Sequence, residues 1–163
     1  MVPRILNSSE KKLIGIHVSM SYTNNKTGEL WGKFMPQIRN IAKAVSNDKI
    51  SMQIYPENFF SNFQPENAFV KWAAVEVYDF DNIPNEMESF ILPEGLYAVF
   101  DYKGSGSDNS IFQYIFGTWL SYSEYMLDDR PHFEVLGEKY KNNDPDSEEE
   151  IWIPVKPKQY KSK

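Results

Sequence analysis

The feature that most constrains this chain is an order of elements that occurs twice. In residues 12–20, Leu13, Gly15, His17 and Ser19 alternate with Ile14, Ile16, Val18 and Met20, the period-two pattern of a strand. After a polar turn at 23–28, Leu30, Trp31, Phe34, Met35, Ile38, Ile41, Ala42 and Val45 recur at three- and four-residue spacing. That spacing predicts an amphipathic helix, with a kink or late start imposed by Pro36. Two strands are expected next, at 50–55 and 69–78. The second half then repeats the order. A short lead-in strand at 88–92 and the turn Pro93-Glu94-Gly95 precede a strand at 96–103. A second helix carries Ile111, Phe112, Ile115, Phe116, Trp119 and Leu120, and strands follow at 131–138 and 149–155. A β-α-β-β unit met twice marks an internal duplication. The expected fold class is therefore α+β: a mainly antiparallel sheet with two helices on one face. The opposite face is expected to form an open trough along a pseudo-twofold axis, a natural ligand cleft. The repeats cover about 10–80 and 86–157 of a single domain, 1–157, and a basic tail at 158–163 is expected to be disordered.

Bulk chemistry removes several function classes. The net charge of −6 argues against a nucleic-acid partner, because neutralising phosphates requires a basic surface. With no cysteine in the chain, disulfides, thiolate nucleophiles and Cys-based metal sites are excluded. No apolar run is long enough to span a bilayer, and the first residues lack the apolar stretch of a signal peptide, so a cytoplasmic protein is expected. His17 and His132 lack metal-ligand spacing, and Gly104-Ser105-Gly106-Ser107 lacks the lysine and spacing of a phosphate loop. Neither a metal nor a cofactor is called for. The helix stripes Trp31/Phe34 and Phe112/Phe116/Trp119 read as core, and Phe59, Phe60 and Phe63 read equally well as a lid or as a local mini-core.

The residues that could carry chemistry lie in the strands. In the segment EEEIWIPV at 148–155, Ile151, Ile153 and Val155 share one face, and Glu148, Glu150 and Trp152 share the other. In residues 72–78, Ala73, Val75 and Val77 read as core, while Trp72, Glu76 and Tyr78 point the other way. Glu76-Val77-Tyr78 thus matches Glu150-Ile151-Trp152, a glutamate and an aromatic on the trough face of each repeat. A carboxylate between rings is a trap for an amphipathic cation, the rings giving apolar area and cation–π attraction and the carboxylate the balancing charge. Aligning Ala98 with Gly15 adds Phe100 and Tyr102 to the trough, and His17 joins them from the first strand. Glu148 is expected to be solvated, and Glu149, on the core-side parity, to sit at the wet entrance of its strand.

The segments WAAVEVYDFDNIPNEMESFILPEGLYAVFDYKG (72–104), WLSYSEYMLDDRPHFEVL (119–136), EEEIWIPVK (149–156) and LWGKFMPQI (30–38), in their order along the chain, resemble the GyrI-like small-molecule-binding domains. Such domains also form the effector-binding half of some AraC- and MerR-type transcription regulators. The resemblance implies a duplicated β-α-β-β (SHS2-like) fold with a ligand cleft between the repeats. It implies a cleft acid at Glu150 and a counterpart at Glu76. Family members include binders of cationic aromatic drugs, a protein associated with gyrase inhibition, and relatives similar to hydrolases of cyclopropane-bearing toxins. This chain departs from the pattern at Phe133-Glu134-Val135-Leu136, where an aromatic commonly ends the motif, and at Ser123-Glu124-Tyr125, where Ser-Gly-Tyr is frequent.

The function expected is that of a stand-alone binding protein for an amphipathic, cationic or aromatic small molecule. Its site would be Glu150, Trp152, Glu76, Trp72, Tyr78, Phe100, Tyr102 and His17, with no direct nucleic-acid or membrane contact. Two alternatives stay open. One is a hydrolase working through a raised-pKa glutamate, Glu150 or Glu76, with a cleft tyrosine assisting. The other is a protein-interaction module acting through the acidic surface.

Overall fold

The structure, a computed structural model, describes residues 1–159. It is α+β, with nine antiparallel strands and two helical segments. The strands are β1 (Arg4–Ser8), β2 (Lys11–Met20), β3 (Lys49–Ile54), β4 (Phe69–Val77), β5 (Glu88–Leu92), β6 (Gly95–Lys103), β7 (Tyr125–Leu127), β8 (His132–Leu136) and β9 (Glu148–Pro157). Across the sheet they run β1-β6-β9-β8-β3-β4-β2-β5, and β7 pairs with the far end of β9. The central pair, β3 and β8, joins the two repeats. The tail expected at 158–163 lies mostly outside the described residues.

Each repeat lends its first strand to the other. Arg4–Ser8 pair along β6 of the second repeat, and Glu88–Leu92 pair along β2 of the first. This exchange sets the shape of the sheet. A two-residue turn joins β1 to β2, yet six strand spacings, roughly 29 Å in a flat sheet, separate them in the strand order. The three Cα steps from Ser8 to Lys11 reach at most about 11 Å. The same mismatch holds between β5 and β6. The sheet must therefore curl until its ends approach, and Gly15 sits where the curl is tight. A Cβ at that position would lie 2.1 Å from the carbonyl oxygen of Ala73 and 2.8 Å from the Ala74 Cβ, so only glycine fits.

Curling changes the face opposite the helices. It holds Leu13, Met52, Trp72, Tyr97, Val99 and Phe133, all buried and packed together. What alternation alone reads as an open trough is the filled concave interior of the sheet. The physical reason is the pair of tight turns, which bring the walls close enough for their side chains to meet.

Both helical segments pack on the convex face. The first is an α-helix, α1 (Thr27–Phe34), continued by a 3-10 segment, Met35–Asn40, with Pro36 in its first turn. It ends at Ile41, short of the Val45 that the spacing predicts. Leu30 and Phe34 cover Ile14, Ile16, Ala73, Val75 and Val77. The second runs through α2 (Ser110–Tyr114), a π-helical turn at Ile115–Trp119, and α3 (Leu120–Tyr122). Ile111 and Ile115 cover Ala98, Phe100, Ile151, Ile153 and Val155. Each helix thus sits over one end of the sheet, and neither apolar cluster includes the helix-facing side chains of β3 or β8. The first and seventh strands are missing from the expected order: Arg4–Ser8 offers only Ile5 and Leu6 as a signal, and Tyr125–Leu127 is three residues long. No helix among the described residues is long and apolar enough to cross a membrane.

Candidate ligand-binding site

The central strands carry polar residues where the outer strands carry aliphatic ones. In β3, Ile50, Met52 and Ile54 face the concave core, so Ser51 and Gln53, and Tyr55 just beyond, face the helices. In β8, Phe133 and Val135 face the core and His132 and Glu134 face the helices. The register places Ser51 opposite Glu134 and Gln53 opposite His132. Glu149 of β9 lies on the same face, one diagonal from Glu134 and about 7–8 Å away by strand geometry. Lys71 of β4, opposite Gln53, completes this polar floor between the helices.

The floor is largely dry. Ser51, Gln53 and His132 are more than nine-tenths buried, and Glu134 is half-buried. Gln53 donates its amide to Glu134 Oε2 at 3.0 Å and, more weakly, to Ser51 Oγ at 3.4 Å. Desolvation raises the Glu134 carboxyl above the ordinary carboxylate range, and the nearby Lys71 charge and the Gln53 bond only partly oppose it. No ion pair reaches Glu134 among the described residues. Glu149 is pushed up to about 7 by burial and by the Glu134 charge, again with partial relief from Lys71. Burial holds His132 neutral, taking its pKa down to about 3. Burial raises the tyrosines around the floor, Tyr22, Tyr55, Tyr102 and Tyr140; smaller contributions come from Tyr22 and then Glu134 at Tyr55, Glu134 at Tyr22, Glu149 and Glu134 at Tyr140, and Asp108 and Glu149 at Tyr102.

Rings form one wall. Phe60, from the loop between β3 and β4, stacks on Phe116 of the π-helical turn at 5.1 Å and lies over His132 at 5.5 Å. Tyr55 meets His132 edge-on at 4.9 Å. Phe59 instead packs with Met20 and Phe69 in a small core of its own. The loop is thus a local mini-core anchored by Phe59, with Phe60 reaching from it to the helix-facing floor and not over the concave face.

The residues singled out by alternation fall into three places. Glu150 and Trp152 do share the concave face, and Trp152 Nε1 donates to Glu150 Oε1 at 3.2 Å. Glu150 also meets Arg4 at 3.0 Å, and Glu76 meets Lys11 at 3.8 Å. Trp72 is buried on that face beneath the exposed His17, whose ring lies 4.6 Å away and whose Nε2 contacts Glu88. Glu76 lies beyond the last β3–β4 pair, three strands from Glu150, and Tyr78 is exposed past the end of β4. The two Glu-x-aromatic triads are therefore not equivalent in register. Phe100 and Tyr102 face the helices instead of the concave side; the alignment of Ala98 with Gly15 is off by one residue, which inverts every side chain. Glu149 is no wet entrance but a half-buried member of the floor. The signal that could have found this floor was present: Ser51, Gln53 and Tyr55 alternate with Ile50, Met52 and Ile54, and His132 and Glu134 with Phe133 and Val135.

The family model for Cass2, the integron-associated effector binding protein, matches residues 4–155. This chain belongs to the Cass2 family. Its function class is therefore effector binding. A curated relative, the transcriptional regulator BrlR of Pseudomonas aeruginosa, is 26% identical over 157 residues. That match takes in 95% of this chain and 56% of BrlR, so the chain spans about half the length of that regulator. Among solved structures, SAV2435 bound to tetraphenylphosphonium superposes with a TM-score of 0.73 at 17% identity, over 96% of this chain and 94% of SAV2435. VCH_CASS2, an integron cassette protein from the mobile metagenome of Vibrio cholerae, superposes with a TM-score of 0.66 at 17% identity, over 96% and 97% of the two chains. At these identities the superpositions establish a shared fold, and the Cass2 family match carries the function class.

Proposed function

We propose that this Cass2-family protein captures a cationic aromatic small molecule between its two helical segments, over the β3–β8 floor. Glu134 is the charge partner, Glu149 a second acid, and Tyr55, Phe60 and Phe116 are the ring wall. One observation carries this reading: Glu134 is a desolvated carboxylate whose direct partner is the neutral amide of Gln53. A carboxylate in that state gains most from an incoming cation, since burying a charge is costly until it is paired. The concave-face acids Glu150 and Glu76 already have cationic partners. The tetraphenylphosphonium in the SAV2435 structure belongs to the same ligand class. The protein is read as one effector-binding unit working in the cytoplasm.

The test is titration of intrinsic fluorescence with tetraphenylphosphonium. Glu134→Gln is expected to weaken binding by about 10- to 100-fold, the cost of removing one member of a buried charge pair. Glu150→Gln is expected to leave the affinity within about twofold, as for a rim charge. The reverse pattern would move the site to the concave face.

A further inference from the structure

Two side chains of the floor have hydrogen-bonding capacity that nothing in the protein uses. His132 is 6% exposed, and among the described residues no hydrogen bond reaches its ring. Its ring is neutral, so one nitrogen carries a proton and the other a free lone pair. Gln53 is also 6% exposed. Its amide nitrogen is committed to Glu134 and Ser51, which fixes the orientation of the group and leaves the carbonyl oxygen Oε1 without a partner. Buried polar groups are hydrogen-bonded in the great majority of cases, so two idle ones side by side call for an explanation.

These atoms are not sealed in. Among the described residues, the one side-chain polar atom closed off from solvent without a partner is Arg130 Nη1, elsewhere in the molecule. The free atoms of Gln53 and His132 are therefore not fully closed off, and both side chains face the helices. Glu134 follows His132 by two residues on the same face of β8, about 7 Å along the strand. The free groups of the floor are thus three acceptors on two adjacent strands, a carboxylate, an amide oxygen and an imidazole lone pair, against one donor, the imidazole N–H. Acceptors demand donors.

We infer that the cation this site is built for carries N–H bonds: a primary or secondary ammonium, an amidinium or a guanidinium on an aromatic body, whose hydrogens are shared among Glu134, Gln53 Oε1 and His132. The inference rests on the proposed β3–β8 site and narrows its ligand. Quaternary ammonium and phosphonium cations satisfy the charge of Glu134 but leave Gln53 and His132 idle. A site with buried hydrogen-bonding groups discriminates strongly against an analogue that cannot pair them. Tetraphenylphosphonium would then be a tolerated ligand and not the fitted one.

A matched pair of probes isolates the N–H bonds: 2-naphthylmethylammonium and its N,N,N-trimethyl derivative, which share charge and ring. Isothermal titration of the full chain is expected to show the primary ammonium binding roughly 10-fold tighter or better, although the trimethyl compound has more apolar surface. In Gln53→Leu and His132→Phe the preference is expected to fall toward unity, because the primary ammonium loses more affinity than the trimethyl compound does. His132→Gln, which keeps a polar group, should restore part of it. A wild-type protein that binds the trimethyl compound as tightly as the primary one overturns the inference even if no variant folds. If both compounds bind, depend on Glu134 and show no N–H preference, the inference fails and the site stands. If neither they nor tetraphenylphosphonium bind in a Glu134-dependent way, the site itself is wrong and the inference falls with it.

Discussion

The two faces of the curled sheet set their glutamates in opposite electrostatic conditions. On the concave side, Glu150 lies against Arg4 and accepts from the Trp152 indole, at the rim of a core that includes Tyr97 and Phe133. On the convex side, Glu134 and Glu149 share a dry floor with one lysine near enough to feel but not in contact. Both sets follow from the same strand alternation, so pattern alone ranks them equally. What separates them is which face the curl fills with side chains and where the nearest cation sits. Glu150 has a cation in contact, and Glu134 has only the neutral Gln53 amide.

The strongest way to break this contrast is to test whether the concave face is core. Phe133 is fully buried there, ringed by Tyr97 at 5.3 Å and stacked on Trp152 at 5.1 Å. Phe133→Ala should cost about 3–5 kcal/mol of stability, the range for deleting a buried aromatic side chain. Denaturant unfolding checks it. A loss below about 1 kcal/mol would mean that the face has the slack of an open trough and would revive it as a ligand cleft.

The sequence made the convex faces legible and the concave one misleading. Ile14/Ile16, Ala73/Val75/Val77 and Ile151/Ile153 announce themselves by period, and all lie under helices. The concave residues Leu13, Tyr97 and Val99 belong to the same alternation, but whether their face is open depends on a non-local fact. The exchange of β1 and β5 between repeats is encoded by which edges pair, and no period reports it. The site was obscured for a related reason. Polar residues facing a helix layer look like an error in a buried pattern unless the helices are known to sit over the two ends of the sheet. Glu134 stood in plain view two residues from His132, but its environment comes from Gln53 and Lys71, both distant in sequence.

A second test sharpens the contrast through pH. Glu149 has an ordinary pKa near 4.5 and a folded value of about 7. Between those values the folded state binds the proton more tightly than the unfolded chain, so stability is full below about pH 4.5 and is lost as pH rises through 7. A fully enclosed group with that difference would give roughly 3 kcal/mol. Glu149 is half-buried, so screening leaves about 1–2 kcal/mol. Glu149→Gln should therefore raise the melting temperature at pH 8 by roughly 2–8 °C and change it little at pH 4. Cation binding should follow the opposite slope in the wild type, strengthening from pH 6 to pH 8 as Glu149 ionises beside Glu134, Lys71, Tyr102 and Tyr140. Melting curves at the two pH values and tetraphenylphosphonium titrations across the interval separate the two effects. Equal slopes in Glu149→Gln and wild type would show that this acid is solvated after all.

The smallest effect is expected at the concave-face pair that sequence alignment of the repeats brings forward. Arg4 and Glu150 meet at 3.0 Å with side chains 47% and 37% exposed, and Arg4 divides itself between Glu150 and Asp101. Exposed pairs of this kind couple by about 0–1 kcal/mol and are screened by salt. A double-mutant cycle over Arg4→Ala and Glu150→Gln should give a coupling of about 0.5 kcal/mol, vanishing near 1 M salt, and a melting shift of roughly 1–2 °C for either single change. The Arg4 single variant carries the sharper information. If Glu150 is a latent ligand acid kept silent by Arg4, freeing it should create a second, salt-sensitive cation site, visible as a stoichiometry above one per chain. If Glu150 is scaffold, Arg4→Ala should leave one site with unchanged affinity. We expect one site, because the carboxylate released there is exposed enough for water to replace the guanidinium, and a hydrated carboxylate gains little by trading water for a cation.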